Sequence, residues 1–250
     1  MYQNYIFDLY GTLVDIRTDE LTSAFWRRAA AIFGARGAAY TPGELRALYR
    51  KLSRRMIRRE LLLHLRSRYI DIDILSVFRQ LYLRRDVEPS EELLLETARL
   101  FRKASTKHIR LYDGVTELLF LLRDSGKRVF LLSNAQRAFT LPELYELGLY
   151  GRFDGIMISS DERICKPDPA FFRRLMRRYA IDPSHSIMIG NDISADILGA
   201  KRVGLDTLYI HQDISPASDR ERENPADYVV MDGDVRKISP LILRGQGGII

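Results

Sequence analysis

The chain has 250 residues, 46% hydrophobic and 29% charged, with a net charge of +6 and a single cysteine. That length suffices for one large α/β core, or a core carrying a smaller insertion, and the lone Cys165 excludes an internal disulfide and fits a reducing compartment. No run of about 18 uncharged apolar residues occurs and the N-terminus lacks a signal-peptide pattern, so the expectation is a soluble, cytoplasmic protein that binds no membrane.

The positive charge is spread along helical segments such as Arg54, Arg55, Arg58 and Arg59. With no recognisable nucleic-acid module and no basic stripe interleaved with aromatics, nucleic acid is excluded as the expected partner, and a mild preference for small anionic molecules remains. Tyr5, Ile6 and Phe7 read as a short buried strand that ends in Asp8, a carboxylate where a parallel sheet opens to ligand. Gly11 lets the chain turn away, and Thr12 places a hydroxyl beside that carboxylate.

Residues 16–107 change character: leucine, arginine and glutamate recur at helical spacing without strand-like runs, and four helices are expected. The first lies near 18–34, with Phe25, Trp26, Ala29, Ala30 and Phe33 on its apolar face and Gly34 as its stop. The second opens at Thr41-Pro42-Gly43-Glu44, a capping box with proline at the first helical position, and runs to about Arg66. A third covers 72–84, and a fourth runs from a Ser90 cap to about Ala104. The expected organisation is a helical cap domain, 16–107, over a core of 1–15 and 108–250.

From Leu111 the α/β alternation returns. Asp113 is the expected cap of a helix ending at Gly126, and the strand from Arg128 to Leu132 runs into Ser133-Asn134. A helix near 137–147 leads to a strand over 155–159, and Lys166-Pro167-Asp168-Pro169 opens a helix to about Tyr179. A strand over 186–189 meets Gly190-Asn191-Asp192, with a helix over 194–203 behind it, and 205–210 and 228–231 read as two more strands. This is an α/β pattern with a doubly wound parallel sheet, whose carboxyl ends converge on one crevice and bring Asp8, Ser133, Lys166 and the Asn191–Asp196 cluster together. The tail from Gly245 is apolar and glycine-rich and has no assigned role.

Those four segments, in that order and each behind the appropriate element, make residues 5–210 resemble the haloacid dehalogenase superfamily of aspartate-nucleophile hydrolases, with an insertion like its smaller cap type. The resemblance implies a Rossmann-like core in which Asp8 is the nucleophile and forms a covalent intermediate. It implies that Lys166, the Ser133 hydroxyl and backbone amides of the turn after Asp8 meet developing phosphoryl charge, with Thr12 and Asn134 also contacting substrate. It implies Mg²⁺, held by Asp8, the Tyr10 carbonyl and a carboxylate of the last cluster. The superfamily's acid spacing of four or five residues admits Asp192 or Asn191 there; Asp192 is favoured, with Asp196 as partner of Lys166.

Tyr10 departs from the phosphatases that this family contains, which carry at that position an aspartate that protonates the leaving oxygen. A tyrosine there resembles the 2-haloacid dehalogenases, whose halide needs no proton. Those enzymes, however, carry a tyrosine where Phe172 stands and an asparagine and an aromatic where Ile193 and Ala195 stand, and they have no use for a carboxylate at Asp192. Leaving groups that depart as stable anions, such as acyl or aryl phosphates or a phosphonate's enolate, also need little acid. Phosphonatases use a cap lysine; Lys51 is the only lysine between residues 13 and 102, and it reads as solvated. His64 and His108 fit no ligand spacing, and Cys165 has no neighbouring base. The reading is a magnesium-dependent phosphatase acting on a small phosphorylated metabolite. The alternatives are a 2-haloacid dehalogenase and a non-catalytic ligand-binding or regulatory protein of the same fold. Cap residues are expected to set substrate identity, and no oligomeric state follows from the sequence.

Overall fold

The computed structural model describes residues 2–63, 67–220 and 223–243. His64, the end of the second helix at Arg66 and the tail from Gly245 lie outside the described residues. Six parallel strands form the sheet in the order β5-β4-β1-β6-β7-β8, built from β1 (Asn4–Phe7), β4 (Arg128–Ser133), β5 (Gly155–Ile158), β6 (Ser186–Gly190), β7 (Asp206–Ile210) and β8 (Tyr228–Val230). β1 is central, pairing Tyr5 with Val129 on one side and Ile187 on the other.

The middles of the strands are apolar because both faces of the sheet are covered. Tyr5 and Phe7 pack with Leu118, Leu119 and Leu122 of α5 (Val115–Asp124) and with Val235 and Ile238 near α10 (Ile238–Leu243). Ile6, one residue out of phase, faces Phe171, Phe172 and Leu175 of α8 (Pro169–Tyr179) instead.

The helical insertion consists of α1 (Ser23–Gly34), α2 (Pro42–Leu63), α3 (Ile74–Leu83) and α4 (Glu91–Ser105). The five residues expected on the apolar face of α1 are its buried residues. The capping box of α2 forms reciprocally, the Thr41 amide donating to Glu44 Oε2 at 2.8 Å and the Glu44 amide to Thr41 Oγ1 at 3.3 Å. Ser90 caps α4 by accepting from the Leu93 amide. The bundle's core is aromatic, with Phe25 edge-on to Phe101 and Phe33 edge-on to Phe78. α2 buries only Leu45 and Leu52, which leaves its arginine-rich side, Lys51 included, in solvent.

Three expectations are corrected. Strands β2 (Val14–Thr18) and β3 (Thr106–Leu111) form an antiparallel ribbon joining bundle to sheet, where helix or loop was expected. Its charges pair across the ribbon: the Asp15 carboxylate lies 2.8 Å from His108 Nε2 and 2.9 Å from Arg110 Nε. Burial raises the Asp15 carboxyl, but these two bonds outweigh it and hold the group below the ordinary carboxylate range. The cap of α5 is Gly114, at φ 88°, with no side-chain bond from the exposed Asp113. The helix expected over 194–203 is a wide π turn, Ile193–Ile197, followed by the single turn α9 (Leu198–Lys201).

A second junction ties the bundle to the sheet. Ile70 bridges Ile164, and Asp71 accepts from Ser159 Oγ of α7 (Ser159–Glu162) at 2.5 Å and from Gln136 Nε2 at 3.1 Å. Among the described residues, no helix is long and apolar enough to cross a membrane.

Candidate active site

A cavity of about 220 Å³ opens at the carboxyl ends of β1, β4 and β6, where a doubly wound sheet places its ligand. Asp8, Ser133 and Asp192 reach it directly from those strand ends. Lys166 does not sit at a strand end, as had been expected; it follows β5 by a loop that includes α7. Lys166 lines the cavity, and its buried Nζ donates to Asp8 Oδ1 at 2.6 Å and to Asp196 Oδ1 at 2.7 Å. Burial alone would lower the ammonium's pKa, but the two carboxylates raise it and keep it charged. One cation shared by two acids leaves an excess negative charge, and burial pushes Asp196 up to about 7, with Lys166 pulling it down and Asp8 adding to the rise.

Backbone geometry permits these close approaches. A Cβ on Gly190 would lie 2.2 Å from Asp196 Oδ2, so only glycine lets that carboxylate reach the lysine. Gly11, at φ +85°, would likewise drive a Cβ to 2.3 Å from Asn191 Nδ2 and 2.9 Å from Ile214 Cγ1.

The remaining expected residues fall into different positions. Ser133 Oγ is buried in the cavity lining and has no hydrogen-bond partner among the described residues. Asn134 clamps the lysine backbone, Nδ2 donating to Lys166 O at 2.9 Å and Oδ1 accepting from the Lys166 amide at 2.8 Å. Thr12 is fully buried, is absent from the lining and donates to Asn191 Oδ1 at 3.3 Å. Asn191 Nδ2 in turn donates to Ser215 Oγ at 3.4 Å, so both ends of that amide are held by protein. The amides of Gly11 and Thr12 close the turn onto Val14 O and Leu9 O and are not free for an anion. Asp192 accepts from the Ala195 amide at 2.8 Å through one oxygen.

Tyr10 turns its ring to the cavity and its hydroxyl away. The hydroxyl donates to Glu143 Oε2 and lies 3.0 Å from Thr140 Oγ1, both on α6 (Arg137–Glu146). Glu143 is paired with Arg102 of the bundle at 2.7 Å, and that guanidinium lies over the Tyr10 and Phe139 rings. Burial, reinforced by the Glu143 charge, raises the phenol's pKa well above its ordinary value.

Arg102, Glu143, Ile214 and Pro216 escaped the sequence reading. Ile214 and Pro216 carried one usable signal: they follow β7, the next strand end in the row. Glu143 and Arg102 carried none, since each looks like an ordinary charge on a helix. Phe172 and Cys165 lie outside the cavity lining; Phe172 is core, and burial pushes the Cys165 thiol up to about 11.

Residues 2–204 match the family model of the haloacid dehalogenase-like hydrolases. A glyceraldehyde 3-phosphate phosphatase of Methanothermobacter thermautotrophicus is 27% identical over 135 residues, 54% of this chain and 59% of its own length. A phosphoglycolate phosphatase of Nitrosococcus oceani is 36% identical over 121 residues, 46% of this chain and 52% of its own. The chain thus spans little more than half the length of these relatives. The solved 2-haloacid dehalogenase of Pseudomonas syringae shares the fold, with a TM-score of 0.65, 19% identity and coverage of 98% of this chain and 99% of that one.

Proposed function

The chain belongs to the haloacid dehalogenase-like hydrolases, and from that premise we propose that it is a magnesium-dependent phosphatase of a small phosphorylated metabolite, with Asp8 as nucleophile and residues 16–107 as its helical cap. The observation that carries this reading is the buried Ser133 Oγ, without a hydrogen-bond partner among the described residues, in the same lining as Asp8 and Lys166. A buried hydroxyl without a partner is costly, and a phosphoryl oxygen satisfies it.

Asp8 attacks phosphorus with the oxygen not bonded to Lys166. The bond to the leaving oxygen breaks, the electron pair departs with that oxygen, and an aspartyl phosphate remains; water then attacks phosphorus and restores the carboxylate. Lys166, with one N–H beyond its two carboxylate bonds, and Ser133 meet the phosphoryl oxygens, while Asn134 fixes the lysine's backbone. Asp196 holds the lysine from behind.

The donor set suits Mg²⁺, which takes few carboxylates and fills its shell with water and substrate oxygens. Asp8, the Tyr10 carbonyl and Asp192 would hold it. Asn191 is the poorer candidate because its amide is already engaged at both ends. Bound there, the metal would neutralise phosphoryl charge so that an anionic carboxylate can approach.

Nothing at the Tyr10 position can give a proton to the leaving oxygen, because the phenol is committed to Glu143. The favoured substrates are therefore phosphates whose leaving group departs as a stable anion, such as aryl or acyl phosphates. The same tyrosine suits a 2-haloacid dehalogenase, against which stands the Asp192 carboxylate in the cavity. A panel of aryl, acyl and alkyl phosphates, phosphonates and 2-haloacids, with and without Mg²⁺, tests the reading. Phosphate release that needs the metal and is lost by several powers of ten in Asp8→Asn is expected; chelator-indifferent halide release would replace it.

A further inference from the structure

We propose that Asp71, a residue of the helical insertion that lies outside the cavity lining, is a positioning residue whose carboxylate braces together the two loops that carry Ser133 and Lys166. This deepens the phosphatase reading and rests on it.

Both groups that face the phosphoryl seat depend on the backbone beneath them. Ser133 Oγ has no hydrogen-bond partner among the described residues, so the hydroxyl stands wherever its backbone places it. The last sheet pair of that strand is Ser133 with Ile158; beyond it the chain leaves the sheet, and the Ala135 amide donates to Ser159 Oγ at 2.8 Å. Lys166 stands on the loop after α7, and Asn134 bonds both the amide and the carbonyl of its backbone. A shift of either loop is therefore a shift of the other.

The insertion meets this pair of loops through residues 69–72, which run antiparallel to 163–165. Ile70 bridges Ile164, the Asp71 amide donates to Arg163 O at 3.2 Å, and the Cys165 amide, next to Lys166, donates to Tyr69 O at 3.1 Å. From this position the Asp71 side chain crosses to the other loop. Its Oδ2 accepts from Ser159 Oγ at 2.5 Å, and its Oδ1 accepts from Gln136 Nε2 at 3.1 Å and from the Ile72 amide at 2.7 Å. Gln136 is held further by Ile72 O and by the Ile74 amide, each at 2.8 Å. One residue of the insertion thus bonds the Lys166 loop with its backbone and the Ser133 loop with its carboxylate.

The carboxylate suits this place. Ser159 is fully buried and its oxygen already accepts from Ala135, so its proton needs an acceptor; the other one in reach, Ala135 O, lies farther off at 3.2 Å. An anionic acceptor makes the shorter and stronger bond. Burial raises the Asp71 carboxyl, so that charge is kept at a cost that a joint of neutral groups would avoid. Without the carboxylate the Ser159 hydroxyl turns to Ala135 O, Gln136 loses one of its anchors, and the Ser133 loop slackens against Lys166. A misplacement of about 1 Å at groups that meet developing charge costs up to roughly a hundredfold in rate.

The test compares wild type, Asp71→Ala, Asp71→Asn and Ser159→Ala on phenyl phosphate, with Val77→Ala in the bundle's core as the control for lost stability. Circular dichroism at the assay temperature checks that each variant is folded. Equilibrium binding of orthovanadate, whose five-coordinate form copies the phosphoryl transition state, and of inorganic phosphate is measured in parallel with Mg²⁺. Asp71→Ala should lower kcat about thirtyfold or more with KM within about threefold, and should weaken orthovanadate by a like factor while inorganic phosphate changes little. Asp71→Asn, which still accepts from Gln136 and can donate to Ser159 Oγ, should recover about tenfold of that loss; Ser159→Ala should lose about tenfold, and Val77→Ala should stay within about threefold of wild type. Where Asp71→Ala does not fold, Ser159→Ala decides alone. Wild-type turnover with Asp71→Ala and Ser159→Ala within about threefold of it, or a Val77→Ala loss as large as that of Asp71→Ala, overturns the brace and leaves the phosphatase reading standing. Orthovanadate affinity that falls in Asp71→Ala, without turnover of any phosphate by wild type, upholds the brace and overturns that reading. Wild-type protein that binds neither ion overturns both.

Discussion

Replacing Arg102 with methionine isolates the contact that joins the helical bundle to the nucleophile's turn. The substitution keeps most of the apolar stem but strands the Glu143 carboxylate, only 7% exposed, with the Tyr10 and Thr140 hydroxyls as neighbours. Breaking a buried ion pair from one side costs about 3–5 kcal/mol, because the other charge stays desolvated. Arg102 retains 15% side-chain exposure, so water relieves part of this cost. The lower end, about 3 kcal/mol, is the expected loss, including the guanidinium's contact with the Tyr10 and Phe139 rings. For a chain of this length that corresponds to a fall of roughly 6–12 °C in Tm.

The assay is urea unfolding followed by Trp26 fluorescence, which reports the bundle because Trp26 is the chain's single tryptophan and is buried there. Circular dichroism follows the whole molecule in parallel. Arg102→Met/Glu143→Leu should lose about 2 kcal/mol less than the sum of its single changes, since it removes the stranded charge as well. A loss under about 1 kcal/mol, or an additive cycle, would show that solvent screens this pair and would refute the reasoning.

If Asp192 rather than Asn191 holds the metal, Asp192→Asn should raise the Mg²⁺ concentration needed for half-maximal phosphatase activity at least tenfold, and Asn191→Ala should not; the reverse order would exchange their roles. Burial raises the Asp71 carboxyl at the junction with Ser159 and Gln136. A carboxyl raised in the folded state favours folding fully below its unfolded pKa and loses that contribution as pH rises through its folded pKa. Asp71→Asn should therefore match wild type in urea midpoint below about pH 4 and exceed it at neutral pH; a constant difference across that range would exclude the linkage. Wild type should hydrolyse aryl and acyl phosphates far faster than alkyl phosphates. Tyr10→Asp combined with Glu143→Gln, which removes the like charge the new carboxylate would face, should narrow that gap; equal wild-type rates would show that another group supplies the proton.

Local patterns settled much of this protein in advance. The spacing of Phe25, Trp26, Ala29, Ala30 and Phe33 is itself the buried face of α1. The Thr41-to-Glu44 box closes within one turn, and apolar runs such as Tyr5–Phe7 and Ile187–Ile189 have to be strands covered on both faces. The convergence of Asp8, Ser133 and the Asn191–Asp196 cluster also followed from the order of elements, because parallel strands carry their carboxyl ends to one side, while Lys166 reaches them from the loop beyond α7. Besides the local cap at Gly114 and the π turn at Ile193–Ile197, what escaped depended on a distant partner. The β2/β3 ribbon is half-exposed and charged, and only the pairing of Asp15 with His108 and Arg110, more than 90 residues away, makes a strand of either half. Asn134 belongs to the Lys166 backbone and Thr12 to Asn191 because their bonds close inside the fold. The Tyr10 hydroxyl is turned from the cavity by Glu143, 133 residues later, and Ile214 reaches the nucleophile's turn only because β7 lies beside β6 in the sheet. Helix and strand periodicity is written within a few residues of chain, whereas a hydrogen bond or a wall between remote segments exists only after the sheet order has brought them together.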